Sequence, residues 1–190
     1  MGRLGLRVAW TRPDLEIVRI NETATDAAGS AHLLKYDSVH GTWPLDSSGG
    51  NDELCVDGSK ITYSSSPSIE KKSWSACDIV IEATGLHHKN PEILKNYFEQ
   101  GVKKVVVAAP TEGALNIVYG INDHLYDPAE HKLVTAASCT TNCLAPIVKV
   151  MHENIGIVHG CMTTVHDITN TQTIVDKGHK DLLRARACGQ

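Results

Sequence analysis

The sequence predicts an α/β protein built on a doubly wound parallel sheet that is incomplete at its N-terminus. Three observations carry this reading. Strand-like apolar runs alternate with helical segments along the 190 residues. The strongest runs, residues 78–83 (DIVIEA) and 103–109 (KKVVVAA), are continuously apolar through their centres, as strands covered on both faces are. Loops rich in Gly, Ser and Thr follow several of these runs, at the strand ends where open α/β sheets bind ligands.

Each element has its own local reason. Residues 2–10 read as a helix, so the chain opens where a first strand and its glycine turn would already have passed. Residues 16–21 (EIVRIN) are a short β-branched strand, and 26–35 (DAAGSAHLLK) a helix. Residues 54–63 contain Gly58 and read as a hairpin. Residues 78–83 form a strand that ends at Thr84-Gly85. Residues 91–100 form a helix with Pro91 in its first turn and Gly101 as its stop. Residues 103–109, 116–121 and 132–137 are read as three further strands. The helix over 145–154 begins near Cys139, and 157–166 returns as a strand. Residues 181–190 stop with no element to close on. The expectation is a sheet lacking its first strand and little activity from these residues alone, with exposed strand edges.

Composition excludes several classes. Hydrophobic residues make up 42% and charged residues 21%, and the net charge is −4. That balance belongs to a globular domain and offers no electrostatic footprint for nucleic acid. No apolar run reaches the length of a membrane span, and the first residues lack a signal-peptide pattern. The expected location is the cytoplasm, with no membrane insertion. The six cysteines are sparse and form no Cys-x-x-Cys pair, so they read as thiols, with no metal site.

Four features carry chemistry. Gly2 is placed as the last glycine of a G-x-G-x-x-G turn, and Glu22 follows 20 residues on, at a strand end. That is the position of a carboxylate that accepts hydrogen bonds from an adenine ribose. Glu82-Ala83-Thr84-Gly85 closes a buried strand, and its glycine lets backbone approach a ligand. Each of these two has an ordinary reading as well, a solvated strand end or a plain turn.

The third feature is Ser138-Cys139-Thr140-Thr141-Asn142 at a strand-to-helix junction. A cysteine at a helix N-terminus meets a positive dipole and unbonded N–H groups, which favour its thiolate. The same N–H groups, with the Ser138, Thr140 and Thr141 hydroxyls, suit an anion or an oxyanion. Cys143, one turn inside the helix, reads as a small buried hydrophobe. The fourth feature is His166, at the end of the strand that follows this helix. A strand–helix–strand unit returns to one sheet edge, so a cysteine–imidazole pair becomes possible. The other nine histidines are read as surface or core polar groups.

These residues resemble a known family. Ser138 to Asn142 followed by Leu144-Ala145-Pro146 is similar to the active-site signature of phosphorylating glyceraldehyde-3-phosphate dehydrogenases. The resemblance extends in order over Gly2-Arg3, Ile20-Asn21-Glu22, Tyr36 to Gly41, Glu82 to Gly85, Ala109-Pro110, Gly120 to Asn122 and Thr163 to His166. It implies a Rossmann-like NAD-binding domain over residues 1–138, without its first strand. The N-terminal part of an α+β catalytic domain would follow over 139–190. It implies that Cys139 attacks the aldehyde of glyceraldehyde 3-phosphate and that His166 takes the thiol proton. Hydride then passes to NAD, and phosphate releases an acyl phosphate from the thioester. Ser138 and Thr140 match positions that bind the attacking phosphate, and Thr169 one that contacts the substrate's own phosphate. Gly2, Arg3, Asn21, Glu22, Thr84 and Gly85 match the cofactor side. Glu22 stands where the family usually has Asp, and its charge favours NAD over NADP.

A finer resemblance runs through Asn21-Glu22, Gly113 to Asn116, Asn122 to Pro128 and His166 to Gln172. It points to the branch associated with arsenate-resistance efflux permeases, in which arsenate replaces phosphate and the product is exported by the permease. The family likeness also implies a homotetramer. Three other readings compete: an erythrose-4-phosphate dehydrogenase with the same Cys and His logic, a thiol redox module oxidised at Cys139, and an inactive fragment.

Overall fold

The computed structural model describes residues 1–69, 73–169 and 172–189. Asn170 and Thr171, part of the finer resemblance, lie outside the described residues. The chain divides into two compact units, Met1–Val150 and Met151–Gln190.

The first unit opens with α1 (Gly2–Ala9), then β1 (Arg19–Asn21) and α2 (Ala27–Lys35). Asp26 caps α2, its Oδ1 accepting from the Gly29 N–H at 2.8 Å, which satisfies one of the unbonded donors of the first turn. Ala27, Ala31 and Leu34 form the buried stripe of α2, at the spacing of one helix face. A short pair, β2 (Tyr36–Asp37) and β3 (Gly41–Thr42), follows. Then come β4 (Ser47–Gly50), β5 (Glu53–Val56) and β6 (Ser59–Ser64). Both turns of this meander are two residues long and left-handed. Asn51 and Asp52 have φ 48° and 61°, and Asp57 and Gly58 have φ 48° and 80°. Such turns match the twist of paired strands. The sequence predicts the second turn; the first, and β4 with it, was not anticipated.

The first sheet has the order β1-β6-β5-β4, with β1 parallel to β6 and the rest antiparallel. Its core gathers α2 residues with Trp43, Leu54, Val56, Ile61 and Tyr63. Arg7 ties α1 to the end of α2, its Nε and Nη2 donating to the Leu34 carbonyl at 3.0 and 2.7 Å.

The second sheet is wholly parallel. It comprises β7 (Ile79–Glu82), β8 (Lys104–Val107), β9 (Leu115–Asn116) and β10 (Leu133–Thr135), in the order β7-β8-β10-β9. Val80, Val105, Val107, Leu94, Tyr97 and Trp74 belong to its core. The Trp74 and Tyr97 rings meet edge to face at 5.1 Å. The expected helix over 91–100 is a 3₁₀ turn, Pro91–Leu94, running into α3 (Lys95–Glu99).

Three expectations are corrected. The strand over 116–121 is only β9. Beyond it the Asn122 side chain accepts from the Val118 N–H at 2.8 Å and donates to the Asn116 carbonyl at 2.9 Å, so a side chain takes up backbone groups that a ladder would use. The run 78–83 is not covered on both faces: Ile79 and Ile81 are half exposed while Val80 and Glu82 are buried, because only one face of β7 meets the core. The strand over 157–166 is absent; all ten residues are exposed and without regular structure. A strand is held by its ladder, and no neighbouring strand accompanies this segment among the described residues.

α4 (Cys139–Asn154) contains the division between the units and carries Pro146 in its interior. Among the described residues of the second unit beyond α4, order consists of turns and an isolated parallel bridge between Thr173 and Ala187. An ion pair between Arg186 and Asp176 at 2.8 Å joins the same two segments.

Candidate active site

The parallel register of the second sheet fixes what lies at its carboxyl edge. Glu82 is opposite Val107, and Val107 opposite Thr135. Beyond these residues the ladder continues: the Ala108 N–H donates to the Glu82 carbonyl at 2.9 Å, and the Ala136 N–H to the Val107 carbonyl at 3.0 Å. Thr84-Gly85, Ala109-Pro110 and Ser138-Cys139 therefore leave the sheet on one edge.

α1 begins beside the first of these loops. A Cβ placed on Gly2 would stand 3.2 Å from the Ala83 Cβ, so glycine lets the start of the helix approach the end of β7. Gly85 has φ 71°, a conformation that glycine adopts without strain. Arg3 is exposed on the first turn of α1. Gly2, Thr84 and Gly85 are thus brought together by the fold.

Asn21 and Glu22 lie at the carboxyl end of β1, in the first sheet. The Asn21 side chain accepts from the Ser64 hydroxyl at 2.9 Å and the Ser66 N–H at 3.0 Å, and donates to the Ser66 carbonyl at 3.0 Å. Its amide fastens β1 to the end of β6. Glu22 is exposed, and its Oε1 accepts the Ala24 N–H at 2.8 Å. A carboxylate so held faces solvent at a strand end, where a hydroxylated ligand can reach it.

The junction between β10 and α4 is built by side chains. Thr135, 1% exposed, accepts the Ala137 N–H at 3.0 Å and donates to Asn116 Oδ1 at 2.7 Å. The Asn142 amide donates to the Ala136 carbonyl at 2.7 Å and the Ser138 carbonyl at 2.9 Å. Between them Ala137 sits at φ 55°, which costs a residue with a Cβ about 1 kcal/mol or more. The clamp turns the chain so that Cys139 opens α4 and is exposed. The Ser138 and Thr140 hydroxyls are 2.8 Å apart, a pair of polar groups at the helix start that can meet an anion.

His166 and Thr169 belong to the second unit. His166 is exposed, with Nδ1 2.7 Å from the Asp167 carbonyl. The Thr169 N–H and hydroxyl both donate to Gln172 Oε1 at 2.8 Å. Cys139 lies in the first unit. Among the described residues no group of His, Cys, Asp and Glu is arranged to hold a metal ion. Among the described residues no helix is long and apolar enough to cross a membrane.

Sequence reasoning named Glu82 and Asn142 within motifs without giving them a role, and it did not give Thr135 one. The Glu82, Thr135, Asn116 and Asn142 side chains hydrogen-bond within or next to these loops. Glu82 carried a signal, an acidic residue closing an apolar strand; Thr135 looks like an ordinary polar residue until the fold is known.

Residues 1–90 match the family model described as the glyceraldehyde 3-phosphate dehydrogenase NAD binding domain. Residues 138–190 match that of the C-terminal domain of the same enzyme. The chain belongs to the glyceraldehyde-3-phosphate dehydrogenase family. It is 53% identical to glyceraldehyde-3-phosphate dehydrogenase 3 of Nostoc sp. over 190 residues, 98% of this chain and 56% of that protein. It is 46% identical to the glyceraldehyde-3-phosphate dehydrogenase of Geobacillus stearothermophilus over 193 aligned positions, 100% of this chain and 57% of that protein. With the Thermotoga maritima enzyme it shares 45% identity over 98% of this chain and 57% of that protein. The chain thus spans somewhat more than half the length of these glyceraldehyde-3-phosphate dehydrogenases.

Proposed function

We propose that this chain carries the cofactor groove and the nucleophile of an NAD-dependent, phosphorylating oxidation of glyceraldehyde 3-phosphate. The observation that carries the reading is the shared carboxyl edge of the parallel sheet. There the Gly2–Thr84–Gly85 cluster follows β7 and the Ser138–Cys139 helix start follows β10, the two strands that flank β8. Residues 1–138 would form the NAD-binding domain, and 139–190 the beginning of the catalytic domain.

The residues fit a dinucleotide. Gly2 brings α1 against the end of β7, which leaves its N–H groups for a pyrophosphate. Thr84 and Gly85 would line the groove, with Arg3, Asn21 and Glu22 on the adenosine side. Bound NAD supplies a two-electron acceptor for hydride. The Cys139 thiolate, favoured at a helix N-terminus, adds to the aldehyde carbon. His166 accepts the thiol proton and later steadies the oxyanion. Loss of hydride from the thiohemiacetal leaves a thioester on Cys139. Ser138 and Thr140 hold the oxyanion that cleaves it, and Thr169 holds the substrate's phosphate. That oxyanion is phosphate or the near-isosteric arsenate. The same reading includes a cytoplasmic homotetramer and, for arsenate, functional coupling to an efflux permease.

The test is carbamidomethylation of each thiol, followed by mass spectrometry with and without NAD. Cys139 is expected to react fastest, at a rate that NAD changes. Equal labelling of Cys139, Cys143 and Cys161, indifferent to NAD, would sink the shared-groove reading. Formation of NADH with glyceraldehyde 3-phosphate separates the oxidoreductase from a thiol sensor, which would react with peroxide alone.

A further inference from the structure

Glu82 is an acidic residue in a place that packing alone does not call for. It ends β7, is 3% exposed, and lies beside a core of Val, Leu and aromatic side chains. Burying a carboxylate costs several kcal/mol unless hydrogen bonds compensate. Here three donors converge on it. The Tyr97 hydroxyl, itself 4% exposed, donates to Oε2 at 3.1 Å. The Thr84 N–H donates to Oε1 at 2.8 Å, and the Thr84 hydroxyl bonds the same oxygen. Thr84 Oγ1 in turn accepts the Leu86 N–H at 3.1 Å, which closes the turn around Gly85.

We propose that Glu82 and Tyr97 form a positioning pair for the cofactor. Tyr97 on α3 anchors the carboxylate, and the carboxylate fixes the backbone and hydroxyl of Thr84. The inference rests on the reading of Thr84-Gly85 as part of the NAD groove. Neither Glu82 nor Tyr97 need touch the dinucleotide. Their effect is to hold the turn in one shape before binding, so that less conformational freedom is lost when NAD arrives. A chain of bonds from the core to the turn transmits this, from Tyr97 through Glu82 to Thr84 and Leu86. An apolar residue at 82 would pack as well but would leave the Thr84 N–H and hydroxyl to solvent.

The experiment compares the wild-type chain with Glu82→Gln and Tyr97→Phe. It measures NAD affinity by calorimetry and amide hydrogen exchange by NMR. The amide weakens the acceptor that Thr84 uses, so Glu82→Gln is expected to bind NAD about tenfold more weakly. Exchange at Thr84 and Leu86 should accelerate about as much, while Val105 and Val107 of β8 stay protected. Tyr97→Phe should move the same readouts in the same direction by about threefold. Unchanged affinity and unchanged exchange at Thr84 in a folded Glu82→Gln chain overturn the proposal. If Glu82→Gln does not fold, an unchanged Tyr97→Phe overturns it instead. A wild-type chain that binds no NAD overturns the groove reading itself, and the proposal with it.

Discussion

Gly49 lies so close beneath Ala27 that a Cβ on it would stand 2.1 Å from the Ala27 carbonyl oxygen and 2.2 Å from its carbon. The contact is backbone against backbone, so no rotamer change relieves it. It sets the spacing between β4 and the first turn of α2. Gly49→Ala is therefore expected to cost about 2–4 kcal/mol. Gly50→Ala, with nothing within 4 Å, should stay within about 0.5 kcal/mol. Urea unfolding of the two variants side by side checks this, and equal midpoints would refute it.

The cysteines divide by burial. Cys77 is 8% exposed, and burial pushes its thiol up from the ordinary value. Cys139, Cys143 and Cys161 are exposed, which corrects the reading of Cys143 as a small buried hydrophobe. Iodoacetamide at neutral pH should leave Cys77 unmodified in the native chain and label it in urea. Early native labelling of Cys77 would mean that the core around Trp74 opens readily.

Tyr97 makes stability depend on alkaline pH. Burial pushes its hydroxyl up, and the neighbouring Glu82 charge adds to the effect. The unfolded chain releases this proton near pH 10, while the folded chain keeps it. The folded state therefore binds more protons above pH 10, and stability falls as pH rises from there. The contribution is fully present below pH 10. Urea midpoints at pH 8 and pH 11 should fall less for Tyr97→Phe than for the wild type. Parallel losses in both chains would count against it.

Asp37 acts at the other end of the scale. Its Oδ1 accepts the Val39 and His40 N–H groups at 2.9 and 2.8 Å. These bonds hold its carboxyl well below the usual value, at about 2. Its contribution to the β2–β3 turn is present above the ordinary carboxylate range and is lost as pH falls toward 2. An NMR titration of the Asp37 carboxyl carbon should give a midpoint near that value. A midpoint near 3.8, the ordinary value, would show that the turn opens in solution.

Much of the first unit was legible in the residues. Residues 26–35 read as a helix and α2 is one, and Gly58 marked the hairpin turn. KKVVVAA reads as a strand and β8 is one, though only Val105 and Val107 on one face are fully buried. What was not legible depends on neighbours. Ile79 and Ile81 look like core residues, yet nothing among the described residues covers their face of β7. Residues 157–166 have the β-branched content of a strand, but a strand needs a ladder. Thr84, Gly85 and Cys139 were singled out because they follow strand ends, where open α/β sheets bind ligands. Glu82 entered only as part of a motif, because its three donors come from the turn and from α3.

The two-residue turn at Asp57-Gly58 has a kinetic consequence. β5 and β6 need close almost no loop to pair, and such hairpins form in about 1–10 μs. The β1–β6 ladder instead joins Arg19 to Thr62, a contact that must wait for a long loop to close. The hairpin is thus placed to act as the early template on which β1 docks. A slower turn, such as Gly58→Val with its unfavourable left-handed φ, should delay folding of the first sheet while leaving assembly of the β7–β8 ladder on its own clock.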